Sequence, residues 1–371
     1  MNFAAVIAGR FVSTILSVSL LLCCSLPSCA TGLIDIAGGD GQLRTATSSS
    51  ASTLRVLDTA GSVSLGNDTA RSGCRTGNNA DGKTGRDIKI ALVLGGGGTR
   101  GASHVGVLKV LEKEKVPFDI IVGTSMGAIV GGFYCAGLKL PEIEKMFLDT
   151  SLMRSYMTVP IPVRLVTMPV FLLPRLVYHP YDGLFYGVRF RRYLNKKLPD
   201  DEKKIEELKK PYAAVAVDLT EGLPHAITKG RLAKAMQASS AVPGLRKPVQ
   251  IGNDLFIDGG VLENIPVEQA LELGADVVIA VNCDERLNTV PINSFRKMGS
   301  VSRRIITLQL DKMDGPHADK ACITIHPDVD GIGLLSTKKQ DAIRAIEAGE
   351  EAARQALPQI RQCLQDAGVN F

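Results

Sequence analysis

One repeated pattern constrains the fold of this chain most strongly. In it, a short β-branched run ends at glycines and is followed by a run with helical spacing. Residues 88–94 stop at four glycines, and residues 102–114 follow with apolar side chains at helical spacing. Residues 120–122 lead into Gly-Thr-Ser-Met-Gly, and residues 128–134 continue as a second helix. This alternation predicts an α/β fold, with a mainly parallel sheet covered on both faces.

Later segments extend the same pattern. Strands are predicted over residues 212–217, 276–281 and 305–310, and a long closing helix over residues 336–357 with Ser336 as its N-cap. In sheets of this kind, ligands bind at the carboxyl ends of the strands. Catalytic or binding residues are therefore expected in the turns that follow the strands.

The turn Gly123-Thr124-Ser125-Met126-Gly127 sets a serine between a strand and a helix. A residue at such a bend is held in strained backbone geometry, and the flanking Gly123 and Gly127 let neighbouring backbone pass close by. The start of the helix favours developing negative charge. Ser125 is therefore the candidate nucleophile for acyl transfer.

The glycine-rich loop after the first strand, Gly95 to Gly101, has two interpretations. Its spacing fits a dinucleotide-binding turn, but the end of the second strand holds the serine turn instead of the acidic residue that would bind a ribose. The favoured interpretation is an oxyanion hole formed by the N–H groups of Gly96, Gly97 and Gly98. Arg100 opposes the dipole of the following helix, so we expect it to face a substrate phosphate or a carboxylate, or to be a solvated surface residue.

A nucleophilic serine needs a base, and two candidates differ in their local context. The five histidines stand in no recognisable motif, although His317 and His326 come late in the chain, where a Ser-Asp-His order places a histidine. Asp258, by contrast, follows the apolar run Leu255-Phe256-Ile257 and precedes Gly259 and Gly260. A buried carboxylate with a raised pKa can accept the serine proton directly. Asp258 is therefore the preferred base.

These motifs, in this order, resemble those of the patatin-like phospholipase family: Gly96-Gly97-Gly98-Thr99-Arg100-Gly101, Gly123-Thr124-Ser125-Met126-Gly127 and Asp258-Gly259-Gly260. The stretches Ala238–Gly244 and Asn264–Val267 resemble the family as well. The resemblance implies a three-layer α/β/α sandwich, a Ser125–Asp258 dyad, a glycine-loop oxyanion hole and hydrolysis of fatty acyl esters in lipids. It implies neither a metal nor an organic cofactor. The residues alone leave open a Ser-His-Asp esterase and a non-catalytic lipid-binding scaffold.

Outside this catalytic body, predicted over residues 87–357, the chain changes character. Residues 1–30 contain Arg10, then a short apolar core, then a region of small residues like that before a signal-peptide cleavage site. This pattern predicts a signal for export to the periplasm, the envelope or the medium. Cleavage after Ala30 and acylation of Cys29 as a lipoprotein both fit. Residues 31–86 lack aromatic residues and are rich in Gly, Ser and Thr, which predicts a flexible tether. Residues 358–371 are expected to be a tail.

Residues 151–181 contain three arginines among apolar residues and prolines, with no Asp or Glu. This composition predicts either a lid that contacts an anionic lipid surface or an insertion that packs on the body.

Charge and cysteine content set limits on partners and environment. A net charge of +5 without a long basic run argues against nucleic acid, and the oligomeric state stays open. The eight cysteines show no metal-binding spacing, and Cys135 and Cys283 are expected in the core. The disulfide status of Cys74, Cys322 and Cys363 stays open.

Overall fold

The computed structural model describes residues 88–157, 181–296 and 300–369, without the side chains of Ser302 and Arg303. All of these residues belong to one compact unit, Ala70–Phe371. The predicted export signal and tether lie outside the described residues, as does most of the 151–181 segment.

An eight-stranded mixed sheet forms the centre of the molecule. Its strands are β1 (Ile90–Leu94), β2 (Ile120–Thr124), β3 (Tyr212–Asp218), β4 (Leu223–Ile227), β5 (Val249–Ile251), β6 (Asp254–Asp258), β7 (Val277–Val281) and β8 (Ile323–Ile325). Neighbours run parallel along β3-β2-β1-β7-β8, whereas β4 and β6 pair antiparallel with β3, and β5 pairs antiparallel with β6. The predicted α/β class and mainly parallel sheet are confirmed.

The helices are α1 (Ser103–Lys113), α2 (Met126–Cys135), α3 (Leu140–Leu148), α4 (Ser151–Met157), α5 (Val188–Lys197), α6 (Leu232–Ser239), α7 (Val267–Glu272), α8 (Ser300–Ala318) and α9 (Lys339–Asp366). Short 3-10 helices cover Gly98–Ala102, Ile205–Glu207, Gly259–Val261 and Ile292–Arg296.

Both faces of the sheet are buried, which makes the three layers. Alternate residues of β1 enter different core clusters: Ile90, Leu92 and Leu94 join one, and Ala91 and Val93 join the other. This division follows from the period of two along a strand. A strand buried on both faces must be apolar throughout, which explains the uninterrupted apolar run that the sequence shows here.

The register along β3 brings the ends of β2 and β6 together. The antiparallel partner β4 occupies one edge of β3 from Ala214 to Asp218. On the other edge, β2 pairs as far as Val215, and β6 takes over at Ala216, which is opposite Asp258. Since β2 and β6 approach this point from opposite directions, their carboxyl ends meet.

One predicted strand, residues 305–310, is wrong. These residues lie within α8, although their β-branched and alternating composition favours a strand. A strand also needs an edge with which to pair, and the edge of β7 that faces away from β1 is taken by β8.

The closing helix also differs from the prediction at both ends. It begins at Lys339, while Ser336 Oγ accepts a hydrogen bond from the Lys338 N–H at 3.2 Å. It then continues through Pro358 to Asp366, so part of the predicted tail is helical. Beyond Pro358 the buried residues Ile360, Cys363 and Leu364 keep the helical spacing, and their packing outweighs the local preference of proline for a helix end.

A disulfide joins Cys322, which precedes β8, to Cys363 in α9, whereas Cys135 and Cys283 are free and buried. It closes a separation of 41 residues and fixes α9 to the edge of the sheet. Among the described residues, no helix is long and apolar enough to cross a bilayer.

Candidate active site

Ser125 occupies the bend between β2 and α2 in strained backbone geometry. Its φ of 52° and ψ of −115° lie in a region that residues other than glycine rarely adopt. The side chain is partly exposed, and Oγ donates a hydrogen bond of 2.7 Å to Asp258 Oδ2. The serine hydroxyl therefore has a carboxylate as its direct partner.

Asp258 ends β6 with its side chain buried. Oδ2 accepts the hydrogen bond from Ser125 Oγ, and Oδ1 accepts one of 2.9 Å from the Gly260 N–H. Burial raises the pKa of Asp258 to about 6, and these two hydrogen bonds oppose the rise. A Cβ on Gly259 would lie 2.5 Å from Val215 O, so only glycine lets the chain turn this close to β3.

Ser239 supports the serine turn, a role that sequence reasoning missed. Its Oγ accepts a hydrogen bond of 2.8 Å from the Ser125 N–H and donates one of 2.6 Å to Val215 O. The hydroxyl thus ties the strained bend to β3. Ser239 lies in the Ala238–Gly244 stretch that supported the family resemblance, but no local signal indicates this contact.

The glycine loop does not present its predicted N–H groups equally. The Gly96 N–H donates to Asn264, at 3.2 Å to the backbone oxygen and 3.1 Å to Oδ1. No partner among the described residues is found for the N–H groups of Gly97 and Gly98. Both have positive φ values, 156° and 56°, that favour glycine. The oxyanion role of Gly97 and Gly98 stays a prediction, whereas the Gly96 N–H is engaged by Asn264.

Arg100 faces a carboxylate rather than solvent. The buried guanidinium lies 2.7 Å from Glu285 Oε1 through one terminal nitrogen, and Nε donates a hydrogen bond of 2.7 Å to Ile332 O. We expected Arg100 to face a phosphate or a carboxylate, or to be solvated, and the structure shows the carboxylate of Glu285. The pair fixes the start of the 3-10 helix Gly98–Ala102 to the loop that follows β7.

Asn264 connects the glycine loop to two buried carboxyl groups. Its Nδ2 donates a hydrogen bond of 2.7 Å to Asp284 Oδ2, and its N–H donates one of 3.2 Å to Asp314 Oδ1. Burial raises the pKa of both carboxyls, and repulsion by Asp284 raises the pKa of Asp314 further. A shared proton between them is the expected state of such a pair. Asn264 was part of the resemblance, but its link to Gly96 could not be foreseen.

Three of the motif glycines allow close approach around the serine. A Cβ on Gly127 would clash with Leu94 O, and one on Gly123 would lie 2.5 Å from the backbone of Gly127. A Cβ on Gly101 would lie 2.5 Å from Met126 Cγ. The glycine loop, the serine turn and the start of α2 can therefore come together only with these residues.

His104 and His317 contact groups other than Ser125. His104 is buried, and its Nε2 donates a hydrogen bond of 2.8 Å to Gly95 O. Burial lowers the pKa of His104 to about 4. His317 Nδ1 lies 3.7 Å from Glu268 Oε1, and burial lowers the pKa of His326. His179 lies outside the described residues.

Among the described residues, no group of three or more histidine, cysteine or acidic side chains is arranged to hold a metal ion.

The fold and the site define an α/β protein with a strained serine at a strand–helix bend, paired with a buried aspartate. Residues 92–271 match the model of the patatin-like phospholipase family. The match includes the glycine loop, the serine turn and Asp258.

Curated relatives agree with the family match. The chain is 35% identical over 195 residues to human patatin-like phospholipase domain-containing protein 6, which covers 52% of this chain and 13% of that protein. It is 31% identical over 209 residues to lysophospholipase NTE1 of Yarrowia lipolytica, which covers 55% of this chain and 13% of that protein. The matched region is thus a small part of much longer proteins.

Among solved structures, VipD from Legionella pneumophila aligns with a TM-score of 0.41 and 13% identity, over 74% of this chain and 67% of that one. ExoU from Pseudomonas aeruginosa aligns with a TM-score of 0.40 and 12% identity, and the alignment covers 75% of this chain and 53% of ExoU.

Proposed function

We propose that this protein is a serine hydrolase that cleaves fatty acyl esters of lipids, with Ser125 as nucleophile and Asp258 as base. The observation that carries this proposal is the hydrogen bond of 2.7 Å from Ser125 Oγ to Asp258 Oδ2. It joins a hydroxyl in strained, partly exposed geometry to a buried carboxylate, which is the arrangement that activates a nucleophile.

In the first half of the reaction, Ser125 Oγ attacks the ester carbonyl while its proton passes to Asp258 Oδ2. The tetrahedral intermediate then collapses, and the leaving alcohol takes that proton from Asp258. In the second half, Asp258 accepts a proton from water, which attacks the acyl-serine. Return of the proton to Ser125 Oγ releases the fatty acid and restores the enzyme.

The developing oxyanion is stabilised by the N–H groups of Gly97 and Gly98 and by the amino end of α2. Gly96 is left out of this role because its N–H donates to Asn264. It acts instead as an anchor that holds the loop in place. Glycine is needed at Gly98 for close packing, because a Cβ there would clash with Leu334 O.

The environment of Asp258 suits a base that works near neutral pH. Burial raises the pKa of Asp258 to about 6, which makes the carboxylate a stronger proton acceptor than an exposed aspartate. At pH 7 the group is still mostly ionised, so the active form is populated.

Three observations support a lipid as the substrate. The family match and the lysophospholipase among the relatives favour a phospholipase A or lysophospholipase type of reaction. Apolar side chains next to Asp258 are also partly exposed, at Val242, Val261 and Leu262. Since Val261 lies in the 3-10 helix that directly follows Asp258, this apolar rim can accommodate an acyl chain.

Hydrolysis of a soluble p-nitrophenyl ester by five proteins tests this proposal. We expect activity in the wild type, His317→Ala and His326→Ala, and none in Ser125→Ala or Asp258→Asn. An active Asp258→Asn together with an inactive histidine variant would favour a Ser-His-Asp esterase. A folded wild type that is inactive on several acyl chain lengths would favour a lipid-binding scaffold.

We propose further that the protein is exported. The apolar stretch near the amino terminus supports this, and so does the Cys322–Cys363 disulfide, because disulfides persist mainly in oxidising compartments. Cell fractionation with antibodies, followed by mass spectrometry of the mature amino terminus, tests export and distinguishes cleavage after Ala30 from acylation of Cys29. An unprocessed protein in the cytoplasm would contradict it.

A further inference from the structure

Helix α8 shows an inverted distribution of polar and apolar side chains. Asp314, one of its charged residues, is buried, whereas Val301, Ile305 and Leu308 are 53%, 45% and 44% exposed. These three residues follow the spacing i, i+4, i+7 and so lie on one face of the helix. Asp314 lies roughly on the opposite side, at about 100° of rotation per residue. Ile306, about 100° further round the helix, is also 43% exposed, so α8 leaves apolar side chains uncovered on more than one side.

The preceding 3-10 helix enlarges the apolar surface. Ile292 is 84% exposed and Phe295 is 36% exposed. We call Ile292, Phe295, Val301, Ile305 and Leu308 the outer apolar stripe. Exposed apolar residues that are clustered rather than scattered mark interaction sites.

The charged residues within the segment that carries the stripe are all positive, while the Asp330 carboxylate contacts Asn288 beside it. The sequence from residue 287 to residue 310 contains no Asp or Glu. Within it, Arg296 ends the 3-10 helix and Arg304 lies in α8, where it donates a hydrogen bond of 2.7 Å to Asn288 O. Apolar residues bordered by cations suit the interface of a bilayer with anionic headgroups.

The carboxyl-terminal part of α8 is connected to the candidate active site through Asp314. Asp314 Oδ1 accepts a hydrogen bond from the Asn264 N–H, and Asn264 holds Gly96 of the glycine loop. The outer apolar stripe on α8 begins 13 residues before Asp314, a distance of about 20 Å along a helix. The same helix therefore carries both the exposed stripe and the residue that contacts Asn264.

From these observations we propose that the outer apolar stripe docks the protein on membranes that contain anionic lipids. The proposal rests on the proposed lipid substrate, since an enzyme that acts on bilayer lipids must bind a bilayer surface. It concerns a different segment of the chain from residues 151–181. Apolar side chains of the stripe enter the headgroup boundary, and Arg296 and Arg304 interact with the lipid phosphates.

The composition of the chain allows a direct test, because it contains no tryptophan. Ile305→Trp introduces a single fluorophore in the stripe. Ile88→Trp is the matched control, since Ile88 is 38% exposed and precedes β1 at the opposite, amino end of the strands. Both are made with Ser125→Ala, so that binding is measured without hydrolysis.

We expect phosphatidylglycerol-containing vesicles to shift the Ile305→Trp emission to shorter wavelength and to leave Ile88→Trp unchanged. Phosphatidylcholine vesicles and high salt should weaken the shift. Val301→Glu with Leu308→Glu, in the Ser125→Ala background, should lower vesicle binding roughly tenfold or more. In the presence of Ser125, the same pair should retain hydrolysis of the soluble ester.

Two results would overturn the docking proposal. One is an Ile305→Trp emission that no vesicle changes. The other is an emission already shifted in buffer and dependent on protein concentration, which would mean that a second copy covers the stripe. Neither result depends on catalysis. An inactive wild type that still binds vesicles would instead contradict the proposed function alone.

Discussion

The hydroxyl of Ser125 lies 2.7 Å from the carboxylate of Asp258 although 133 residues separate them in the chain. The contact arises from β3, where β2 and β6 pair with the same edge at adjacent residues, Val215 and Ala216. Each strand delivers one side chain at its carboxyl end. The rigid centre of the sheet thus fixes the geometry that a nucleophile and its base require.

The pH dependence of ester hydrolysis should follow the ionisation of Asp258. Only the ionised carboxylate can accept the serine proton, and burial raises the pKa of this group to about 6. Activity should therefore rise with pH through about 6 and then level off. Measurements of kcat/KM on a soluble ester from pH 4.5 to 8.5 test this. His317→Ala and His326→Ala should keep the same profile, and a profile abolished by either substitution would contradict the assignment.

Replacement of Asp258 should stabilise the fold while it removes activity. The pKa of Asp258 is raised from 3.8 to about 6, so folding favours the protonated form. The resulting penalty is absent below about pH 4 and grows as the pH rises through 6, to about 3 kcal/mol at most.

Asp258→Asn carries no such penalty, so its free energy of unfolding should exceed that of the wild type by about 1–3 kcal/mol at pH 8. The two proteins should be similar near pH 4. Urea unfolding at both pH values measures the difference. A variant less stable than the wild type at pH 8 would show that the hydrogen bonds of the carboxylate outweigh its burial.

Asn264 should act as a positioning residue for the glycine loop. Asn264→Ala removes one of the two acceptors of the Gly96 N–H, Oδ1, and it also removes the donor to Asp284. Misplacement of the adjacent oxyanion donors should lower kcat roughly 10- to 100-fold with little change in KM. Steady-state kinetics that measure kcat and KM separately test this prediction. Asn288→Ala is the control, because Asn288 is exposed on a nearby loop. Equal losses in both variants would point to a general effect on that loop.

The Cys322–Cys363 disulfide should stabilise the protein without affecting catalysis. Closing a loop with a sequence separation of 41 residues lowers the entropy of the unfolded chain and stabilises the fold by about 4 kcal/mol. Cys322→Ser with Cys363→Ser should lower the melting temperature and leave kcat on the soluble ester unchanged at 25 °C.

A reducing agent provides the matched control for the disulfide. It should lower the melting temperature of the wild type and have no further effect on the double variant. A wild type whose melting temperature is the same with and without reductant would contradict a stabilising disulfide.

Several elements could be predicted from local sequence because their causes are local. The β-branched runs of β1 and β2 are buried on both faces, and the glycines after them mark the turns. The strand that ends at Asp258 could be predicted from the sequence for the same reason. The segment 305–310 was not, since its composition suits a strand while the sheet offers it no edge.

The amino-acid sequence by itself determined the strand–turn–helix around Ser125, the glycines that it requires and the candidate aspartate, because backbone conformation and apolar periodicity are properties of neighbouring residues. Tertiary structure decided which carboxylate contacts Ser125, which acceptor engages the Gly96 N–H and which apolar residues of α8 are exposed. These outcomes depend on strand register and on long-range contacts such as Asn264 with Gly96. Residues far apart in the chain meet only after the sheet has aligned them, so no local pattern encodes them.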